Sequence, residues 1–198
     1  ATGGLCIADE VQIGFGRIGT HFWGFSSEGV VPDIVTMGKP IGNGYPMGAV
    51  VTTSAIAQAF ETGMEYFNTF GGNPVSCAIG ASVLEIMEKQ QLQSNADEIG
   101  TYLLKELNEL QAEHPILGDV RGKGLFLGLE LVTNRELLTP ATSETANLVN
   151  RMMEEGVLLS TDGLHQNVIK IKPPLILSHN DSSYFLEKLD NVLNEDRF

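Results

Sequence analysis

The chain has 198 residues, of which 42% are hydrophobic and 19% are charged, a composition typical of a globular protein that buries a core without disulfides. Its formal net charge of −13 argues against nucleic acid or an anionic membrane as a partner, because both select clustered Lys and Arg. No apolar run reaches membrane-spanning length, and we expect no signal peptide.

The first part of the chain predicts short buried strands separated by loops. Strands are expected over residues 5–8, 33–37 and 47–52, with a glycine-rich loop over 14–32 between the first two. Residues 1–10 lead directly into the first predicted strand and include no initiating Met, so we expect the chain to begin within a longer polypeptide. Short apolar strands of this kind favour an α/β fold with a mostly parallel sheet.

Helices dominate the next segment. A short helix is predicted over 54–61 with Ser54 as its cap, a long one from Pro74, and a third over 96–113. A smaller α+β module follows, with a turn at 121–124, strands at 125–131, 157–160 and 168–171, and helices at 143–155 and 180–194. We predict a domain boundary near residue 80, giving domains 1–80 and 81–198 bridged by the long helix.

The cysteines and histidines show no pattern of a metal or disulfide site. Cys6 and Cys77 lie among apolar or small residues, outside any CxxC or Cys/His cluster, and are expected to be reduced, buried cysteines of a cytoplasmic protein. The histidines lack the spacing of metal ligands, so no metal is expected. The four are His21, His114, His165 and His179.

Two glycine-rich stretches partly match nucleotide-binding motifs. Residues 14–19, GFGRIG, fit GxGxxG, but the following THFWGF does not read as a helix, and residues 9–13 separate the motif from its strand. The stretch GKPIGNG lacks the GK[ST] ending of a phosphate-binding loop. We therefore do not expect a nicotinamide or P-loop site.

Asp9 and Lys39 each follow a predicted buried strand, at the sheet edge where open α/β folds bind ligands. A lysine amine can condense with an aldehyde, and a carboxylate can keep a pyridine nitrogen protonated. These are the two fixed charges that a pyridoxal-5′-phosphate (PLP) enzyme needs. From spacing alone, a solvated lysine and an aspartate that caps a turn remain open alternatives.

A longer resemblance supports the PLP interpretation. Residues 5–51, LCIADEVQIGFGRIGTHFWGFSSEGVVPDIVTMGKPIGNGYPMGAVV, resemble the signature of class III (omega-type) PLP aminotransferases, and the similarity extends along the chain. The resemblance implies that Asp9 pairs with the pyridine nitrogen, that Gln12 lies by the phenolic oxygen and that Lys39 forms the Schiff base. It also implies that Thr69, in TFGGNP, donates to the cofactor phosphate of the neighbouring subunit, so a homodimer is expected.

The same resemblance implies the aspartate-aminotransferase-like architecture, fold type I, with part of the large domain followed by the small C-terminal domain. One position departs from the family pattern. In NVIKIKPPL, Lys170 stands where many aminotransferases carry an arginine that clamps the substrate carboxylate with a bidentate fork. A substrate with a phosphate, or recognition of the carboxylate by Arg121 or by residues outside this chain, would each accommodate the change.

The expected function is PLP-dependent transfer of an amino group from an amine substrate to a 2-oxo acid or aldehyde acceptor. One alternative is phosphate elimination from a phosphorylated amino alcohol by the same cofactor, since some family members with that activity resemble the chain near Lys170. The other is a catalytically incomplete fragment with a structural or dimerisation role.

Overall fold

The computed structural model describes residues 3–195 and divides the chain into two compact units, Ala1–Gln93 and Ser94–Phe198. The division falls later in the chain than residue 80, because the whole of the long helix belongs to the first unit. None of the helices within the described residues is both long and apolar enough to cross a lipid bilayer.

The sheet of the first unit has three strands, β1 (Ile7–Asp9), β2 (Ile34–Met37) and β3 (Ala49–Thr52), in the order β1-β2-β3. β1 and β2 are parallel, whereas β3 pairs with β2 in the antiparallel sense. The prediction of a mostly parallel sheet is therefore wrong for the described strands. The chain passes from β2 to β3 through a 3-10 turn, and a parallel return needs a longer crossover.

Two α-helices complete the first unit. α1 (Ser54–Phe60) is capped by Thr53, whose side chain accepts the Ile56 N–H, and not by Ser54 as predicted. Ser54 is instead the first residue of the helix. α2 (Pro74–Lys89) begins at the expected proline, and the Asn73 side chain accepts the Ser76 N–H at 3.0 Å. Proline suits this position because the first helical N–H has no partner within the helix.

The first unit leaves much of its apolar surface exposed. None of the residues in β1–β3, α1 or α2 is buried. Its buried apolar side chains, Phe15 and Ile18, belong to the loop that follows β1. Cys6 and Cys77 are both exposed, which contradicts their expected burial. The residues next to each cysteine in the sequence are apolar or small, which is typical of a core. Within the described part of this unit, however, no second layer of structure covers the two cysteines.

The second unit combines a five-stranded sheet with three helices. The strands are β4 (Leu117–Lys123), β5 (Phe126–Asn134), β6 (Thr139–Pro140), β7 (Ser160–Asp162) and β8 (Val168–Ile171). Their order is β4-β5-β8-β7, with β6 pairing with β5, and all pairs are antiparallel. The helices are α3 (Leu92–Glu113), α4 (Thr142–Glu154) and α5 (His179–Leu193).

Three strands of this unit, β4, β6 and β7, differ from the sequence expectation, and the two-residue β6 was not predicted. β4 was not predicted, and residues 121–123, expected as a turn, are its end. Its sequence LGDVRGK lacks the apolar alternation of a half-buried strand, and pairing with the apolar β5 stabilises it. β7 lies at Ser160–Asp162, later than the predicted 157–160, because its register is fixed by β8.

The core of the second unit lies on one face of the sheet. Alternate residues of β5, namely Leu127, Leu129 and Leu131, are buried, as the period of two in a strand requires. Helical side chains at three- and four-residue spacing cover them. These are Ile99, Leu103 and Leu107 of α3, Leu148 and Met152 of α4, and Leu186, Leu189 and Leu193 of α5.

Candidate functional site

The register of β1 and β2 brings two predicted site segments to one sheet edge. Asp9 is paired with Thr36, and both strands point the same way, so their carboxyl ends meet. The Asp9 side chain is exposed, and its Oδ1 accepts the Val11 N–H at 3.1 Å and the Thr36 hydroxyl at 3.4 Å. These contacts fix the carboxylate beside the end of the strand that leads to Lys39.

Lys39 begins the 3-10 helix Lys39–Gly42, directly after the end of β2 at Met37 and the extended Gly38. Its φ of 37° lies in the left-handed region, which is unfavourable for a residue with a Cβ. Its side chain is exposed. Strain of this kind in a non-glycine residue is often retained where the side chain has a functional role.

Helix α2 supports the turn that carries Lys39. A Cβ placed on Gly80 of α2 would lie 2.9 Å from Cε of Met47, so the small residue allows the helix to approach the turn closely. At the start of the same helix, the Ser76 hydroxyl donates to the Tyr45 hydroxyl at 3.4 Å. The backbone at Lys39 is thus held by packing from behind, while its amine remains accessible.

Gln12 and Thr69 lie on two different loops of the first unit. Gln12 is exposed in the turn that follows β1, three residues after Asp9. Thr69 is exposed in the loop between α1 and α2, where Oδ1 of Asn68 accepts the N–H groups of Phe70 and Gly71. The Gly71 amide is therefore bound to Asn68 in this structure.

One residue beside the candidate site was not predicted from the sequence. Glu10, next to Asp9, is 1% exposed, and its carboxylate accepts the N–H groups of Gly24 at 2.8 Å and Phe25 at 2.9 Å. A carboxylate at the end of a short apolar strand, followed by a glycine-rich loop, was the available signal in the sequence. The long-range backbone partners could be known only from the fold.

The two predicted substrate residues, Arg121 and Lys170, belong to the second unit. Arg121 is paired with Gly128 across β4 and β5, and Lys170 is paired with Gly128 across β5 and β8. Directly paired residues project from the same face of a sheet, so both cations flank a glycine on one face. That face is opposite the buried leucines of β5, since Gly128 alternates with Leu127 and Leu129.

Both cations are already paired with carboxylates. Nη1 of Arg121 lies 2.6 Å from Asp119 and 2.7 Å from Glu130, and Nζ of Lys170 lies 2.5 Å from Asp162. The hydrogen bond to Asp119, with a smaller contribution from Glu130, raises the pKa of Arg121 above its ordinary value despite partial burial. The hydrogen bond from Lys170 lowers the pKa of Asp162. An anionic substrate at either cation would compete with these pairs.

One group in the second unit has metal-ligand chemistry. Glu113, His114 and Asp190 each place one ligand atom within 4.8 Å of the others. Nε2 of His114 is 2.7 Å from Oδ1 of Asp190, and the same oxygen accepts from the Asn194 amide at 3.1 Å. These hydrogen bonds make His114 and Asp190 a polar link between the end of α3 and α5.

The chain is similar to curated aminotransferases along nearly its whole length. It is 54% identical over 193 residues to alanine–glyoxylate aminotransferase 2 homolog 2, mitochondrial, of Arabidopsis thaliana, covering 98% of this chain and 40% of that protein. It is 44% identical over 196 residues to alanine–glyoxylate aminotransferase 2, mitochondrial, of Homo sapiens, covering 98% of this chain and 38% of the relative. The chain thus spans about two fifths of the length of the curated relatives it matches. The expected cytoplasmic location is contradicted, since both relatives are named mitochondrial.

Solved structures agree with this similarity. A phospholyase from Arthrobacter in complex with phosphoethanolamine superposes with a TM-score of 0.93 at 44% identity, covering 98% of this chain and 46% of that one. An amine transaminase from an uncultivated Pseudomonas species in its PLP-bound form gives a TM-score of 0.85 at 34% identity, covering 96% and 44% of the two chains. The α/β, fold-type-I class expected from the resemblance is confirmed by these matches.

The geometry fits the cofactor of these proteins. A carboxylate and a lysine amine at the ends of adjacent parallel strands are the groups that a pyridinium nitrogen and an aldehyde require. The sequence model of class-III aminotransferases matches residues 1–193. The chain therefore belongs to the class-III aminotransferase family, whose cofactor is PLP.

Proposed function

We propose that the protein containing this chain transfers an amino group from an amine substrate to a 2-oxo acid or aldehyde acceptor, with PLP attached to Lys39. The observation that carries the proposal is the parallel pairing of β1 with β2, because it brings Asp9 and the segment leading to Lys39 to one sheet edge. The names of the relatives as alanine–glyoxylate aminotransferases support the same reaction class.

Each residue has a definite task in this proposal. Bound PLP supplies an electron sink for the bond that is broken at the substrate carbon. Asp9 holds the proton on the ring nitrogen, which keeps that sink effective. Lys39 would hold the cofactor through its side-chain amine, and the same amine, when free, would carry the proton to and from the substrate carbon.

Gln12 and Thr69 complete the proposed cofactor contacts. Gln12 follows Asp9 by three residues on the turn after β1 and would donate to the phenolic oxygen. In a homodimer, Thr69 would donate to the phosphate of the cofactor that is bound in the partner subunit. The apolar side chains around Thr69 are exposed in this chain, and in the complete protein they would be covered by the partner subunit or by the part of the polypeptide outside these residues. They are Phe60, Met64, Tyr66, Phe67, Phe70 and Val75, each at least 61% exposed.

The test is a spectrum of the purified protein mixed with PLP, before and after borohydride reduction, followed by peptide mapping. A lysine-linked absorbance band and a single pyridoxyl adduct on Lys39 are expected. Lys39→Ala should lose the band, the adduct and amino transfer, and Asp9→Ala should weaken the band. Labelling spread over several lysines, or full activity in Lys39→Ala, would refute the proposed role of Lys39.

A second reaction, phosphate elimination from a phosphorylated amino alcohol, has its own support. The Arthrobacter structure with a TM-score of 0.93 is described as a phospholyase bound to phosphoethanolamine. Lys170 is a compact point charge that suits a phosphate, whereas an α-carboxylate is better matched by the planar fork of arginine. Arg121 flanks the same glycine, so two cations could share one anionic group.

The two reactions are separated by their products. Inorganic phosphate released from phosphoethanolamine without any oxo acid indicates elimination, whereas amino-group transfer that requires glyoxylate or another oxo acid indicates transamination. Lys170→Arg should favour the carboxylate substrate and lower phosphate release. Failure of the protein to bind PLP would instead support the structural or dimerisation alternative.

A further inference from the structure

Glu10 is the one acidic side chain among the buried residues of the described chain. Burying a carboxylate is costly unless hydrogen bonds replace its water. Its two oxygens accept separate backbone donors, Oε2 from Gly24 and Oε1 from Phe25, at 2.8 and 2.9 Å. Both donors belong to the first turn of the 3-10 helix Gly24–Glu28.

The same residue continues the β1–β2 ladder. The Glu10 N–H donates to the carbonyl of Thr36 at 2.9 Å, one position beyond the Asp9–Thr36 pair. Its carbonyl accepts the Gly14 N–H at 3.1 Å. Through its backbone Glu10 therefore fixes the strand end that presents Asp9, and through its side chain it fixes a segment fourteen residues later.

The segment enclosed by this link is compact and aromatic. The rings of Phe15, Phe22 and Trp23 lie within 5.4 Å of one another between centroids. A Cβ on Gly14 would lie 2.9 Å from Oε2 of Glu10, so glycine is required where the loop crosses the carboxylate. The loop that carries Gln12 is thus closed on the end of β1 by Glu10.

We propose that Glu10 is a positioning residue for the cofactor site: its carboxylate holds the loop 11–25 on the end of β1 and thereby keeps Asp9 and Gln12 in place for PLP. The inference rests on the proposed function, because it gives Glu10 a task in that reaction. A buried anchor that serves only folding would leave the chemistry at Asp9 unchanged once the protein has folded.

Glu10→Gln is the sharpest test because it preserves shape and replaces one acceptor oxygen by an N–H donor facing a backbone N–H. Glu88→Gln, at an exposed position of α2, makes the same change of charge away from the loop. Trp23 lies in this loop, so the part of the acrylamide quenching that Trp23→Phe removes reports on the loop without cofactor. Quenching should increase in Glu10→Gln and stay unchanged in Glu88→Gln.

The cofactor measurements decide between positioning and folding. In the PLP-loaded protein, Glu10→Gln should weaken cofactor binding by about tenfold, because the hydrogen bond to a charged group that is lost contributes roughly that factor. The ring nitrogen should lose its proton at a lower pH than in the wild type, because Asp9 is less well placed to hold it. Glu10→Asp, which keeps the charge but shortens the reach, should show smaller shifts of the same sign and serves if Glu10→Gln does not fold.

Two negative results are distinguishable. If the wild type forms a lysine-linked band and Glu10→Gln retains wild-type PLP affinity and ring titration, the positioning role is overturned while the proposed function stands, even if quenching of Trp23 changes. If the wild type itself forms no such band, the proposed function fails and the role of Glu10 fails with it.

Discussion

Asp9 and Thr36 are partners across the parallel strands β1 and β2, and the Thr36 hydroxyl donates to the Asp9 carboxylate at 3.4 Å. The backbone register, more than this long hydrogen bond, determines where Asp9 lies. The next residues after Thr36 lead to Lys39 through Gly38. The relative placement of the two proposed cofactor residues is thus a property of the β1–β2 pairing.

This relationship predicts unequal effects of two substitutions. Asp9→Asn removes the charge that holds the ring proton and should lower turnover on the order of 100-fold, as loss of a preorganised electrostatic contact does. Thr36→Val removes a hydroxyl with a weak contact and leaves the strand pairing intact, so turnover should fall by less than about threefold. Steady-state kinetics of both variants checks the prediction. Equal losses would show that the hydroxyl, rather than the register, places the carboxylate.

The left-handed backbone at Lys39 has a consequence for stability. Lys39→Gly should be more stable than Lys39→Ala by about 1 kcal/mol, because glycine adopts a positive φ without the Cβ clash. Lys105 in the middle of α3 is the matched control, since there glycine should be the less stable variant by about 1 kcal/mol. Urea unfolding of the four variants without cofactor measures both differences. If the glycine variant is less stable than the alanine variant at both positions, the backbone at Lys39 is not strained.

A close approach in the second unit predicts a strongly destabilising substitution. A Cβ on Gly100 of α3 would lie 2.3 Å from the backbone of Gly124, in the turn between β4 and β5. Gly100→Ala must therefore separate the helix from the turn and should cost about 1–3 kcal/mol of unfolding free energy or more. Thr101→Ala, exposed on the same helix, should be neutral or slightly stabilising. Thermal unfolding distinguishes the two, and a neutral Gly100→Ala would contradict the close contact.

The capping box of α5 predicts a pH dependence. The side chain of Ser178, and after it the Ser178 backbone N–H, lower the pKa of Asp181 below its ordinary value. A depressed carboxyl pKa adds stability above the unfolded pKa of about 3.9, and that stability is lost as the pH falls through the folded value. Ser178→Ala should raise the pKa of Asp181 towards its ordinary value and cost about 1 kcal/mol.

NMR titration of the Asp181 carboxyl group measures this shift directly. Ser183→Ala, on the same helix, should leave the pKa of Asp181 unchanged and controls for general effects on α5. An unchanged titration in Ser178→Ala would show that the hydroxyl does not hold the carboxylate.

Local signals were sufficient for much of the helical structure. Proline at the start of α2 and the apolar spacing of α3 predicted both helices, because helix initiation and amphipathic periodicity act within a few residues. The motif around Asp9 and Lys39 was sufficient to indicate the family and its cofactor, which the family match confirms. The roles of the individual site residues stay predictions, namely those of Asp9, Gln12, Lys39, Thr69, Arg121 and Lys170.

The sequence by itself determined the residues with the required chemistry: a carboxylate and an amine, each after a short apolar strand. Only the tertiary structure decided that β3 runs antiparallel, that β4 exists and that Glu10 binds the N–H groups of Gly24 and Phe25. The physical reason is that strand pairing and buried hydrogen bonds join residues distant along the chain. Their free energy depends on which segments meet, and no local pattern of residues encodes that.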